Sequence, residues 1–509
     1  MIRWIVAGQD LFADELATYW VVSTHSLSGV VDTVSTTAEI TPPLGFMLAW
    51  LGSQISLAPE AIRLPALLAG IVTIPLVYAI GLRTTGRAAA LAAATFTALS
   101  PFMIFYSAEA RGYGVMMAFV LASTWFLLKA VDEPRARWWV GYGVFVALAA
   151  YTHYTSIFVL GAQFLWALWL HPPARKPLLI ATALAALAYV PWLPSLKGDI
   201  DSPTTEILGA LSPFDLPSIK LYLGHWLFGF PYPNVAGLRD LPGLAGLLLI
   251  GAGLVAGAAG LWSRRETLRR WFASQDNRII LLVLLALATP LAEAFASLLS
   301  TNIFSTRNLA ASWPYLALAT AALITVGKRP LRIAAAALVA VGLGLGAAKM
   351  VTTGYERPNY TDLAEWVKEG GEGVVVDAAA FTPGPLANFD VEETDPGVPV
   401  FRLNIPEQTT EPFDLADRLP DPADVAARAA EAADGGPIII VSTVDRNPIA
   451  GARTETALAA AFIADLPGYA LAERKVFPGF LDPQALVYEP TAGSSGSGAA
   501  AGSGSGGSG

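Results

Sequence analysis

TPPLGFMLAWL, residues 41–51, opens on two prolines and continues apolar, and whether it crosses a membrane decides the topology of all that follows. Its surroundings are strongly apolar: of 509 residues 54% are hydrophobic and 14% charged, against about 25% charged in soluble domains. Apolar runs near 20 residues, the length that carries a helix across about 30 Å of hydrocarbon, recur ten times. They lie at 62–82, 88–106, 112–131, 138–153, 156–171, 177–195, 241–262, 279–299, 309–327 and 331–350. The chain reads as a polytopic α-helical membrane protein. Ahead of these runs MIRWIVAGQD, too short and too soon polar for a signal peptide, reads as the tail of a first helix whose beginning is missing, giving about 10–11 spans. The run 43–57 has only about 10–14 apolar residues, which suits a re-entrant or interfacial helix.

Lysine and arginine set the orientation. Arg83 and Arg87, then Lys129, Arg135 and Arg137, then Arg175 and Lys176 fall in alternate connections. Arg264, Arg265, Arg269 and Arg270, then Lys328, Arg329 and Arg332 continue the series. All of these can be cytoplasmic together. The extracytoplasmic set is then 1–61, the turns around Glu109 and His153, 196–240, the turn around Arg307, and everything after about 351. The same alternation requires 43–57 not to cross, which keeps the first loop on the side of Glu109 and Arg307.

The net charge of −9 hides an asymmetry. Residues 351–490 carry 24 acidic and 9 basic side chains, net −15, whereas the rest carries 17 and 23, net +6. An acidic soluble domain thus follows a basic membrane body, which argues against a nucleic-acid partner. Within 351–490, strand-like GVVVDAAAF, VPVFRL, PIIIVSTVD, YALAERKVF and ALVYEP are interleaved with helix-like YTDLAEWVKEG, DPADVAARAAEAADGG and ETALAAAFIADLPG. This predicts a small α/β domain with a partly parallel sheet. Residues 491–509 read as a flexible Gly/Ser linker or tag. There is no cysteine, hence no disulfide or thiolate site. The four histidines never fall at His-x-x-x-His spacing, which argues against a histidine-built zinc site.

Four polar clusters share the outer side. Asp14 and Glu15 in LFADELATYW are paired carboxylates, or else a solvated helix start. Glu109, Arg111 and Tyr113 in SPFMIFYSAEARGYG sit between two apolar runs with almost no loop, where ionisable groups are costly unless paired or facing a wet cavity. His153 lies in YTHYTS. Arg307 lies in NIFSTRN, about two turns beyond Glu293 of the preceding run, so Glu293 could simply be its ion-pair partner. In 196–240, HWLFGFPYPN offers Trp226, Phe228 and Tyr232 as a sugar platform or as an interfacial aromatic belt.

In this order and on one side, these motifs resemble the GT-C glycosyltransferases, in the branch of protein O-mannosyltransferases and the aminoarabinose transferase of lipid A. The matching pieces are FADELATYW, TPPLGFMLAW, RLPALLAGIVTIPLVYAIGLRTTGR, SPFMIFYSAEARGYGVMMAF, YTHY and the helix after Arg307. Thr41 stands where that family usually has His or Lys, and Ala108 where it has Gln. The resemblance covers roughly residues 2–350. It implies that 1–350 is a catalytic membrane domain, with 9–61 and 196–240 as outer loops, in a bacterial plasma membrane.

It further implies transfer of a sugar from a polyprenyl-phosphate donor to a glycan, lipid or protein acceptor on the outer face. Such transfer needs a base for the acceptor hydroxyl and positive charge for the departing phosphate. Asp14 fits the base. Arg307 fits the clamp, with Arg111 or His153 assisting. Tyr106, Tyr113, Glu293, Trp226 and Tyr232 are the expected substrate contacts. Glu15 and Glu109 could orient the acceptor or share a divalent ion such as Mg2+ or Mn2+, with Glu109 as ligand. A single displacement would invert the anomeric centre. The alternative, a transporter or flippase, would favour charged or broken helices at mid-membrane and an internal repeat. Here the charges sit at helix ends and no repeat is visible.

Overall fold

The computed structural model describes residues 1–12, 14–36, 39–202, 214–232, 236–264, 266, 277–300, 302–370, 373–378, 397–403, 421–444, 460, 462–464, 466–480 and 482–491. The chain forms two compact units, Met1–Glu356 and Arg357–Gly509. The Gly/Ser tail from 492 and the Arg269–Arg270 pair lie outside the described residues.

The first unit opens with α1 Ile2–Ala7, α2 Asp14–Thr24, α3 Leu27–Thr36 and α4 Leu44–Ser53. There follow α5 Pro59–Ile62, α6 Leu64–Thr84, α7 Arg87–Leu99, α8 Pro101–Ser107 and α9 Tyr113–Asp132. All ten long apolar runs are helical, but they differ in reach. Among the described residues six helical segments are long and apolar enough to cross a membrane: Leu64–Thr84, Tyr113–Asp132, Pro172–Ile200, Arg239–Trp262, Arg278–Leu299 and Arg329–Lys349. A seventh is the pair α7 and α8, bent by 62°. Ala136–Ala150, Ser156–Leu170 and Asn308–Ile324 are shorter; at 1.5 Å per residue a 15-residue helix reaches about 22 Å. The ten-residue α4 reaches about 15 Å, so the 41–51 stretch does not span.

The bend between α7 and α8 follows from Ser100-Pro101. Proline at the first helical position has a preset φ and no N–H to lose, and Ser100 Oγ accepts the Met103 N–H at 3.3 Å to cap the new helix. The carbonyls at the end of α7 are met by Arg3, which donates to Thr97 O at 2.7 Å and Ala98 O at 2.8 Å. Helix α1 thus braces the break and aims α8 at the turn 108–112.

That turn is also braced by α4. A Cβ on Gly45 would meet Gly112 Cα at 3.1 Å, and one on Gly112 would meet Thr152 O at 2.9 Å. Only glycine lets the three segments touch. Behind them Val21, Val30, Val34, Phe46 and Trp192 form one apolar cluster, which packs α2, α3 and α4 together.

The second unit carries β1 Val374–Asp377, β2 Val400–Arg402, β3 Ile438–Val444, β4 Tyr469–Val476 and β5 Asp482–Pro490 in the order β2-β1-β3-β5-β4. β1 is parallel to β2 and β3, whereas β5 runs antiparallel to β3 and β4. The helix Pro422–Ala433 buries Val425, Ala426 and Ala429 against Val374, Val376, Ile438 and Ile440. This is the expected partly parallel α/β sheet.

Candidate active site

Glu15 is 1% exposed and Arg63 is fully buried. Arg63 Nε and Nη2 donate to the two Glu15 oxygens, each at 2.7 Å. Its other N–H groups reach the carbonyls of Ala7 at 2.9 Å, Asp10 at 2.8 Å and Gln9. Glu15 also accepts from the backbone N–H of Ala110 at 2.7 Å and Phe12 at 3.2 Å. A buried ion pair survives only when its remaining donors and acceptors are met in this way. The pair ties the end of α1, the start of α2, the head of α6 and the turn 108–112 to one point.

Asp14 is one residue earlier, about 100° round the helix, and faces elsewhere. Its Oδ2 accepts from Arg307 Nη1 at 2.5 Å, with the two side chains 25% and 29% exposed. This carboxylate–guanidinium contact joins positions 293 residues apart and stays open to solvent. Tyr106 and Tyr113, 3% and 4% exposed, stand beside it with ring centroids 4.8 Å apart. Tyr113 is 4.9 Å from the His153 ring, and Tyr232 sits edge-on to Phe105 at 5.3 Å and Phe12 at 6.0 Å. All three tyrosines lie within electrostatic reach of Arg307 and Glu109. Burial, then Glu109 and Asp14, push the Tyr232 phenol well above its ordinary range, so it remains a hydroxyl donor.

Arg111 faces the neighbouring side. Its Nη1 and Nη2 donate to Glu39 Oε2 and Oε1, both at 2.9 Å, while the guanidinium lies 5.0 Å over the Phe46 ring. Thr41 Oγ1 donates to Glu39 Oε1 at 2.7 Å. His153 is pushed down to about 3 by burial, then by Arg111 and Arg307, and so is neutral at working pH. The Thr155 N–H donates to its Nδ1 at 3.3 Å, which leaves the proton on Nε2. A small cavity between these groups is lined by Thr18, Thr41, Phe46, Arg111, Tyr113 and His153.

Several sequence expectations need correction. Arg307 pairs with Asp14, and Glu293 lies fully buried on the Arg278–Leu299 helix without forming that ion pair. Trp226 is 4% exposed, donates to Leu309 O at 3.0 Å and accepts from Trp313 Nε1 at 2.8 Å, so it is packing and not an open platform. Of the two residues expected to assist Arg307, Arg111 is paired with Glu39, and His153 lies beside Tyr113 as a neutral N–H donor. A divalent ion shared by Glu15 and Glu109 does not fit, because the Arg63 guanidinium covers both Glu15 oxygens. Among the described residues no group of three or more His, Asp or Glu could hold a metal. Glu109 itself is buried, 3% exposed, beside the tyrosines.

Two residues escaped the sequence reading. Arg63 stood in plain view as a charge at the head of an apolar run, which implies a buried partner. Glu39 gave no such signal in its polar stretch.

Residues 41–194 match the profile of the family described as dolichyl-phosphate-mannose-protein mannosyltransferase. The matched segment holds Arg63, Glu109, Arg111, Tyr113 and His153 but neither Asp14 nor Arg307. In fold, the chain is similar to ArnT from Cupriavidus metallidurans in the apo state, with TM-score 0.54, 12% identity and coverage of 96% of each chain. It is likewise similar to ArnT from the same organism bound to undecaprenyl phosphate, with TM-score 0.53, 12% identity and coverage of 98% of this chain and 97% of that one. No curated protein sequence matches. The GT-C resemblance drawn from the ordered motifs is borne out, and the membrane unit has the GT-C fold.

Proposed function

We propose that this GT-C membrane protein transfers a sugar from a polyprenyl-phosphate-linked donor to a hydroxyl of a glycan, lipid or protein acceptor, at the site walled by α2, α4 and the turn 108–112. The observation that carries the reading is the solvent-open contact of Asp14 with Arg307. It sets a proton acceptor and a phosphate-binding cation side by side, and the transfer requires both.

Asp14 takes the proton of the acceptor hydroxyl as that oxygen attacks the anomeric carbon. The bond from that carbon to the phosphate oxygen breaks, and the leaving polyprenyl phosphate keeps the electron pair. Arg307 neutralises its charge, and His153 Nε2–H and the phenols of Tyr113 and Tyr232 can donate to it. The displacement inverts the anomeric centre. In the free protein Asp14 is held by Arg307. The donor phosphate competes for that guanidinium, so arrival of the donor frees the base. Arg111, clamped by Glu39, shapes the wall.

The outer location rests on the alternating basic loops. Arg83 and Arg278 pair with Asp132 at 2.8 and 2.5 Å, and α6 runs from Arg63 at the site to Arg83 in this basic cluster.

The test offers a panel of radiolabelled polyprenyl-phosphate sugars to membranes carrying wild type or Asp14→Asn, with and without chelator. Loss of a general base is expected to slow transfer by about 100- to 10,000-fold. Undiminished transfer by Asp14→Asn removes the proposed base, and product that retains the donor's anomeric configuration removes the single displacement.

A further inference from the structure

The segment that presents Arg307 is tied down on both sides and left open at its middle. On the Arg278–Leu299 helix, Thr289, Glu293 and Ser297 are spaced by four and so form one stripe, and all three are buried, at 0%, 0% and 9% exposure. Ser297 Oγ accepts the N–H groups of Ile303 at 3.0 Å and Phe304 at 3.2 Å. Thr289 Oγ1 donates to Leu309 O at 3.3 Å, and the Thr289 N–H donates to Ser312 Oγ at 3.1 Å. Trp226 grips Leu309 O from the other side at 3.0 Å.

Between these two ties the ladder has a gap. Glu293 stands at the level of Ser305, whose backbone amide is the neighbour that acts on its carboxyl. Yet among the described residues no side chain donates to either Glu293 oxygen, and the Ser305 and Thr306 hydroxyls are buried without a partner. Each such group costs about 1–3 kcal/mol, and an isolated lapse would be unremarkable. Here the unmet atoms belong to Glu293 and to the two residues just before Arg307, whose guanidinium holds Asp14. Buried polar groups left unmet in a native fold call for a reason, and functional sites are where such a cost is retained.

We infer that Glu293 is a positioning residue for Arg307: when Arg307 leaves Asp14 for the donor phosphate, residues 305–307 settle onto Glu293, and the Ser305 and Thr306 hydroxyls donate to its carboxyl. The bonds form only in the phosphate-bound state, so they add to donor binding and not to the stability of the free protein. This rests on the reading of Arg307 as the phosphate clamp. The carboxyl acts as a hydrogen-bond acceptor, a task that glutamine shares and leucine lacks.

The test uses the full chain in detergent micelles, with undecaprenyl phosphate as the probe and both its affinity and the ligand-free thermal midpoint as readouts. Arg307→Ala sets the reference, with binding expected to weaken tenfold or more. Glu293→Leu is expected to weaken binding about fivefold to twentyfold without lowering the ligand-free midpoint, because it replaces an unmet carboxyl by an apolar group. Glu293→Gln should stay within about twofold of wild type, and the Ser305→Ala/Thr306→Val double variant should behave like Glu293→Leu. Combining Glu293→Leu with Arg307→Ala should add little, since the first acts through the second.

Wild-type affinity in Arg307→Ala overturns the clamp itself. Wild-type affinity in Glu293→Leu beside an impaired Arg307→Ala overturns this inference alone. So does a Glu293→Gln variant as weak as Glu293→Leu, or a fully additive double variant.

Discussion

Replacing Glu15 by leucine would leave Arg63 charged and fully buried with no carboxylate to meet it. Stripping one partner from a buried ion pair costs about 3–5 kcal/mol, so Glu15→Leu should lower the thermal midpoint of the purified protein sharply. Asp14→Asn, at a partly exposed position, should leave that midpoint nearly unchanged while slowing transfer by about 100-fold or more. A Glu15→Leu protein as stable as wild type would refute the assignment of Glu15 to the scaffold. The acidic pair was legible in the sequence, but its division of labour was not. Two neighbours on a helix point about 100° apart, and only the position of Arg63 and Arg307 decides which one turns inward. His153 yields a pH prediction. Its folded value is depressed to about 3 by burial, Arg111 and Arg307, below about 6.5 for an unfolded histidine. As pH falls from about 6.5 towards 3, the unfolded chain binds a proton that the folded chain refuses, so the native state loses stability across that window and not above it. Between pH 7 and pH 4.5 wild type should therefore lose more thermal stability than His153→Gln. Equal losses would mean that His153 is protonated in the folded state.

At the scale of elements, the turn 108–112 depends on how closely α4 and the Thr152 backbone approach it. A Cβ on Gly112 would lie 2.9 Å from Thr152 O, a backbone atom that cannot swing aside. Gly112→Val should therefore displace the turn that carries Glu109 and Arg111, with a loss of at least about 1–3 kcal/mol of stability, as for overpacking elsewhere. Transfer activity should fall with it. Gly344→Ala is the control, since a Cβ there would be 3.9 Å from the nearest atom. Matching behaviour of the two variants in thermal melts would contradict the close contact. Helix identity was legible from run length and hydropathy, but the 88–106 run read as one span, and the structure breaks it by 62° at Ser100-Pro101. Helix reach was less legible. The 138–153 and 156–171 runs end where YTHYTS turns, and that turn is bonded into a wall by Leu44 N–H donating to Tyr151 O at 3.0 Å. Such tertiary bonds leave no periodic trace in a sequence.

For the whole molecule, the two units and their opposite charge were plain in the composition, because burial in lipid and exposure to water select different residues. Sugar and acceptor identity were not legible, since Asp14, Arg307 and three tyrosines would serve many donors. The orientation of the membrane unit is a prediction that the composition makes easy to test. The chain has no cysteine, so any single introduced thiol is the sole label site. Ser28, exposed on α3 of the first loop, and Arg135, exposed beside the Arg83–Asp132–Arg278 cluster, report the two sides. Basic residues are retained on the cytoplasmic face during insertion, so Ser28→Cys should react with a membrane-impermeant maleimide in intact cells. Arg135→Cys should react only after permeabilisation. The reverse pattern would place the Asp14–Arg307 site in the cytoplasm. Labelling of both in intact cells would mean that α6 and α9 do not cross as a bundle, and the shared outer side of Asp14, Glu109, His153 and Arg307 would then need another cause.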